Sequence, residues 1–237
     1  MIFGTAHQGI YTQKMQKRIL NRHAFARGLF LILMLCCSTR TLSDDDRAVE
    51  GSYIPHSTLL KWEEALHKLE SQFGCTADEY ALIVSVPEQE LRIVKGEQAV
   101  RLYKISTSKY GTGNRAGSHK TPVGSHRIAD KIGQGAKFGS IFVSRQNTGK
   151  TAKILKDNKD VREDLKTTRI LRLEGLEPGI NKGEGIDTYN RYIYIHGTQE
   201  EGLIGTPSSN GCIRMRNNDV IELFELVEEG TLVEIHN

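Results

Sequence analysis

The chain has 237 residues, 38% of them hydrophobic and 26% charged, enough apolar material for a packed core and too much to leave the bulk of the chain disordered. The formal charge of +3 is unevenly placed: Lys14, Lys17, Arg18, Arg22, Arg27 and Arg40 lie in residues 1–43, which hold no Asp or Glu, so the remainder is net acidic. That excludes an electrostatic case for nucleic-acid binding by the folded part.

In chain order, Lys14 to Arg27 form a basic stretch, Gly28 to Leu35 (GLFLILML) an apolar core, and Cys36, Cys37 and Ser38 a small-residue exit. That is the layout of a secretory signal peptide over residues 1–38, and the core is far shorter than the roughly 20 residues that span a bilayer. Two rivals remain: an uncleaved membrane anchor, and lipidation at Cys36 or Cys37, against which Met34 and Leu35 are poorly shaped. Met15 is a more ordinary start than Met1. Export places the protein in the periplasm or cell envelope and leaves Cys75 and Cys212 in the mature chain, where pairing them is the plainest reading of two exported cysteines.

Residues 39–79 read as a polar linker followed by an amphipathic helix at 58–73, with Leu59, Trp62, Leu66, Leu69 and Phe73 on one stripe and Gly74 at its end. From Tyr80 the apolar period changes to two. Strands are expected at ALIVSV (81–86), LRIV (91–94) and AVRLYKIS (99–106), joined by hairpin turns. A Gly/Ser/Thr/Lys-rich loop closes with SHKTPVG (118–124), and SIFV (140–143) is a further strand. The charged run after 145 is expected to be a solvated excursion with a helix near 157–166. ILRLEGL (170–176) and RYIYIHG (191–197) are strands, the second with His196 at its exit. After Cys212, Asn217 or Asn218 is expected to cap a helix with Val220, Leu223, Phe224 and Val227 inside and Gly230 as its stop, and TLVEI (231–235) closes the fold. The architecture expected is mainly β with a few helices, a β-sandwich or partly open barrel. Alternating Tyr189, Tyr192 and Tyr194 read as packing, and His119 and His126 as loop and strand residues, since no third metal ligand stands at a sensible spacing. The Gly-rich runs at 111–117 and 133–139 lack a phosphate-loop pattern.

A strand-end His196 presents an imidazole from a rigid place. The turn Ser208-Ser209-Asn210-Gly211-Cys212 lets the Gly211 and Cys212 N–H groups face one pocket, where they would stabilise an oxyanion. Spacing alone leaves two readings open: a Cys–His nucleophilic pair, or a satisfied strand histidine and a small buried thiol.

The wider pattern, IHGT, a loop, then SNGCIRM followed by NND, resembles the L,D-transpeptidase catalytic domain family of YkuD-type fold from about Tyr80 to Ile235, which implies a catalytic domain over residues 80–237. The resemblance implies a mostly β catalytic domain acting on peptidoglycan stem peptides, with Cys212 as nucleophile, His196 as base and the Gly197 carbonyl orienting the imidazole. It implies that Gly211 shapes the oxyanion hole, that Ser209 belongs to the same turn, and that Arg214 binds substrate or braces the loop. It calls for no cofactor and no metal. Where the family carries histidine between that serine and glycine, this chain has Asn210, so altered substrate contacts or rate are expected, with activity retained. The implied reaction forms L,D cross-links or attaches an amine acceptor, either a second stem or an anchored lipoprotein. The alternatives are an L,D-carboxypeptidase on the same site and an inactive wall-binding relative, which a Cys75–Cys212 disulfide would favour.

Overall fold

The computed structural model describes residues 56–161 and 163–237, with side chains from Trp62 onward. The signal-peptide reading of residues 1–38 with Cys36 and Cys37, the linker up to 55 and the Leu59 side chain lie outside the described residues. Helix α1 (His56–Phe73) lays Trp62, Ala65, Leu66 and Leu69 over Ala81, Ile83 and Val94 and over Cys75. Fully burying a side chain such as Leu69 contributes about 1.5–3 kcal/mol.

Ten strands follow: β1 (Tyr80–Ser85), β2 (Glu90–Lys95), β3 (Gln98–Ser106), β4 (Gly124–Ile132), β5 (Ser140–Val143), β6 (Gln146–Thr151), β7 (Lys166–Gly175), β8 (Tyr194–Gly197), β9 (Ile213–Met215) and β10 (Leu232–His236). Helix α2 (Asn217–Leu226) lies between the last two. The sheet runs β4-β10-β1-β2-β3-β9-β8-β7, and β7 pairs back onto β4, so eight strands close into a barrel; β5 and β6 extend from β7 as a hairpin. The mainly β class is therefore observed, with the barrel closed. Closure needs β4 to bend, and its register with β7 shifts between Ile128 and Asp130.

Period-two alternation sends Leu82, Val84, Leu91, Ile93, Ile195, Ile213 and Met215 into one core, on which α2 places Val220, Leu223 and Phe224. The outward residues between them on β8 and β9 are those singled out for chemistry.

Four local expectations are corrected. Among the described residues of 157–166 there is no helix. Backbone groups there bond instead to the loop after β8: Leu155 N–H to Gln199 O at 2.7 Å, Val161 N–H to a Glu200 carboxylate oxygen at 2.6 Å and Leu165 N–H to Gln199 Oε1 at 3.2 Å. Such side-chain partners compete with the helical ladder. Asn217 does not cap α2. Arg216 is the residue before the helix, and the fully buried Asn217 amide is used inside the protein. The helix ends at Leu226, four positions before Gly230. The two described cysteines are free thiols in separate clusters, Cys75 beneath α1 and Cys212 beside Tyr194, so the disulfide alternative is not what the structure contains.

Candidate active site

Parallel pairing of β8 with β9 sets Ile195 against Ile213 and His196 against Arg214. Because Ile195, Ile213 and Met215 face the core, Tyr194, His196, Cys212 and Arg214 share the opposite face.

His196 is fully buried, and its Nδ1 lies 2.7 Å from its neighbour's carbonyl, Gly197 O. A carbonyl only accepts, so Nδ1 carries the proton and Nε2 presents its lone pair. Nε2 is buried and has no hydrogen-bond partner among the described residues. Burial holds this imidazole below its usual pKa, with the Asp164 carboxylate opposing that shift. Gly197 is required by close approach: a Cβ there would lie 2.6 Å from Asn217 Oδ1 and 2.7 Å from Thr167 O. Asn217 holds this corner together. Its Oδ1 accepts from Thr167 and Thr168, and its Nδ2 donates to Thr198 O and to Glu201, each at 2.8 Å.

Cys212 packs with Phe142, Ile170 and Tyr194. Its thiol donates to Tyr192 O at 3.6 Å, and burial pushes its pKa up to about 11, against the pull of the Lys166 ammonium. At neutral pH the pair therefore rests as thiol and neutral imidazole.

The turn before Cys212 is clamped from two sides. Ser209 Oγ donates to Cys212 O and accepts the Gly211 N–H at 3.2 Å. Thr121, buried in the loop before β4, donates to Gly211 O at 3.1 Å and accepts the Ser108 N–H at 2.9 Å. Gly211 sits at φ +120°, a conformation L side chains rarely adopt.

Arg214 is 2% exposed and committed to acids: Asp164 Oδ1 lies 2.9 Å from Nη2 and 3.1 Å from Nε. Glu200 Oε2 lies 2.8 Å from Nη1 but out of line for a hydrogen bond, so that contact is ionic. Burial alone would raise the Asp164 carboxyl, but the charges of His196 once protonated, of Arg214 and of Lys166 outweigh it and hold the carboxyl low. Asn210, on the exposed side, donates to Asp164 Oδ2 at 3.3 Å. The charged run expected to be a solvated face thus delivers a carboxylate into the site.

Asp164, Glu200 and Arg191 were not singled out in the sequence. Arg191 is half-buried, donating to Gly113 O and Lys120 O, and it lines a cleft of about 610 Å³ with His119, Ile193 and Asn210. Thr121, by contrast, was legible from its place in SHKTPVG. Asp164 was lost among its charged neighbours. His126 is elsewhere, buried on β4 with Nε2 3.1 Å from Thr188 Oγ1.

The sequence model of the YkuD family, described as the L,D-transpeptidase catalytic domain, matches residues 79–235. The Bacillus subtilis protein YkuD, assigned as an L,D-transpeptidase, is 55% identical over 42 residues, 18% of this chain and 26% of that protein. YqjB of the same organism, with the same assignment, is 48% identical over 46 residues, 19% of this chain and 26% of YqjB. The matched stretches thus span about a quarter of these relatives. A solved L,D-transpeptidase from Mycobacterium smegmatis aligns with a TM-score of 0.41 and 13% identity, over 67% of this chain and 59% of that one. With two thirds of its length matched by the family model, this chain belongs to the L,D-transpeptidase catalytic domain (YkuD) family.

Proposed function

We propose that the protein is a cysteine-dependent L,D-transpeptidase acting on peptidoglycan stem peptides. The observation that carries this reading is the pairing on one face of β8 and β9: a buried thiol at Cys212 and an imidazole at His196 whose Nδ1 is fixed on Gly197 O and whose Nε2 is unpartnered.

In the proposed reaction the Cys212 thiol turns from Tyr192 O and gives its proton to His196 Nε2. Sγ attacks the carbonyl that joins the L-centre of diaminopimelate to the terminal D-Ala. The oxyanion is received by the Cys212 N–H and by the Gly211 N–H, released from Ser209. His196 returns the proton to the departing D-Ala amine, leaving a thioester. An acceptor amine, from a second stem or an anchored lipoprotein, loses its proton to His196 and attacks the thioester; the new amide forms and the thiol is restored. The charge of Asp164, paired to Arg214, favours the transient imidazolium. The apolar surround of Phe142, Ile170 and Tyr194 favours transfer to an amine over hydrolysis. The basic and apolar leader supports export to the periplasm or cell envelope.

The test is mass spectrometry of the full-length protein, wild type and Cys212→Ala, incubated with disaccharide-tetrapeptide stems. A dimer joined between two diaminopimelates, made by the wild type alone, is the expected result. Tripeptide without dimer would identify an L,D-carboxypeptidase. No product from the wild type would overturn the enzyme reading for this substrate.

A further inference from the structure

The β5–β6 hairpin turns through two residues, Ser144 and Arg145, with Val143 paired to Gln146. Both turn residues have positive φ, 48° and 67°. Turns of this kind favour Asn-Gly, because an L side chain is strained there. The side chain presented at that strained position is an arginine. Its Cζ lies 5.3 Å from the ring centre of Tyr192, and its Nη1 lies 3.4 Å from Tyr194 Oη. Among the described residues no carboxylate pairs with it.

The platform beneath it leads directly to the nucleophile. Tyr192 is 53% exposed and itself at φ 57°, and its carbonyl is the partner of the Cys212 thiol. Tyr194 packs against Cys212, as does Phe142 from the same hairpin as Arg145. Nearby Arg172 is a contrast: it is buried, donates to Tyr189 O at 2.8 Å and has Asp130 3.6 Å away. Arg172 is consumed by the fold, whereas Arg145 has a planar donor edge held in place and no anion to meet it. Backbone strain retained at a position beside a reactive group points to function.

We infer that Arg145 is a carboxylate-binding residue that, with Tyr192 as its floor, holds a side-chain carboxylate of the acyl-donor peptide beside Cys212. The role as a donor subsite rests on the L,D-transpeptidase reading; the anion-binding role beside the thiol does not.

Two measurements on the full-length chain separate these levels. The first compares alkylation of Cys212 by iodoacetate and by iodoacetamide, read on the Cys212 peptide by mass spectrometry. Arg145→Gly relieves the turn strain and so keeps the hairpin, and it is expected to lower the iodoacetate-to-iodoacetamide rate ratio about two- to threefold. Arg145→Lys keeps the ratio. An unchanged ratio in Arg145→Gly overturns the inference. The second compares KM for a tetrapeptide stem and for the same stem with its diaminopimelate carboxylate amidated. Amidation is expected to raise KM about tenfold in the wild type and not in Arg145→Gly. A wild type that processes both stems equally overturns the donor subsite while leaving the transpeptidase reading intact. A wild type that processes neither overturns that reading, and the alkylation ratio still decides whether Arg145 binds anions.

Discussion

Two imidazoles, His126 and His196, are fully buried, and acid should unfold the protein through them. For His126 burial lowers the pKa to about 4, with the Gly124 carbonyl on Nδ1 a smaller opposing influence. The unfolded chain holds this group near 6.5. Its folded pKa is depressed, so the unfolded state binds more protons, and stability is lost as pH falls through the interval between the two values. Between pH 7.5 and 5 the loss is about 2 kcal/mol for His126, and His196 contributes in the same direction. Glu234 and Asp219, whose carboxyls burial raises, act oppositely, so the His126 share is isolated by difference. Urea unfolding of wild type and His126→Gln across that range is the assay. The wild type should lose more stability than the variant by about 2 kcal/mol, equivalent to about one proton taken up on unfolding at pH 5. Parallel pH profiles for the two proteins would refute the reasoning. The catalytic counterpart follows from His196: if it is the base, the acid limb of kcat/KM lies below the 6.5 of a free imidazole, and a limb at or above 6.5 would remove it from that role.

Other substitutions test the packing around the pair. Gly197→Ala drives a methyl into Asn217 Oδ1 and Thr167 O, and should cost about 3 kcal/mol in thermal or urea unfolding and abolish acyl-enzyme formation. Asp164→Ala leaves the buried Arg214 with Glu200 alone, and should cost about 3 kcal/mol and slow acylation of Cys212 by a stem peptide. Thr121→Val strands the Gly211 carbonyl and the Ser108 N–H at a buried site; about 2 kcal/mol of stability and much of kcat should go together. Leu69→Ala beneath α1 is the control: it should cost about 3 kcal/mol yet leave the Cys212 alkylation rate at the wild-type value.

What could be read from the sequence was what repeats locally. Alternation in RYIYIHG marked a strand with His196 at its exit, and the stripe of α1 was legible for the same reason. The three-residue strand β9, and with it the face shared by His196, Cys212 and Arg214, emerges only from its parallel pairing with β8. What could not be read depends on partners far along the chain. Asp164 meets Arg214 fifty positions away only because Gln199 and Glu200 take up the hydrogen-bonding groups of the 155–165 segment, and no periodicity encodes that exchange. Asn217 carries the composition of a helix cap. It was drawn inward because the shift in register of β7 between Thr167 and Ile170 turns two threonine hydroxyls toward its amide.

The pair itself is uncomfortable in the resting protein, and the discomfort has a use under the proposed mechanism. A buried, unpaired imidazole nitrogen costs about 1–3 kcal/mol. His196 Nε2 bears that cost while Nδ1 is satisfied by Gly197 O, so the ring cannot relieve it by changing tautomer without breaking a 2.7 Å bond. The Cys212 thiol is parked on the carbonyl of Tyr192, a residue at positive φ, and not on Nε2. Thr168, a β-branched residue at φ 67°, sits behind the same corner. Strain and an unmade hydrogen bond are therefore held around one nitrogen by the hydrogen-bonded Asn217 and the ion-paired Arg214 cluster. Moving the Cys212 proton onto Nε2 makes the missing bond in the step that generates the nucleophile, so part of the burial cost of ionising the pair is offset where the chemistry needs it.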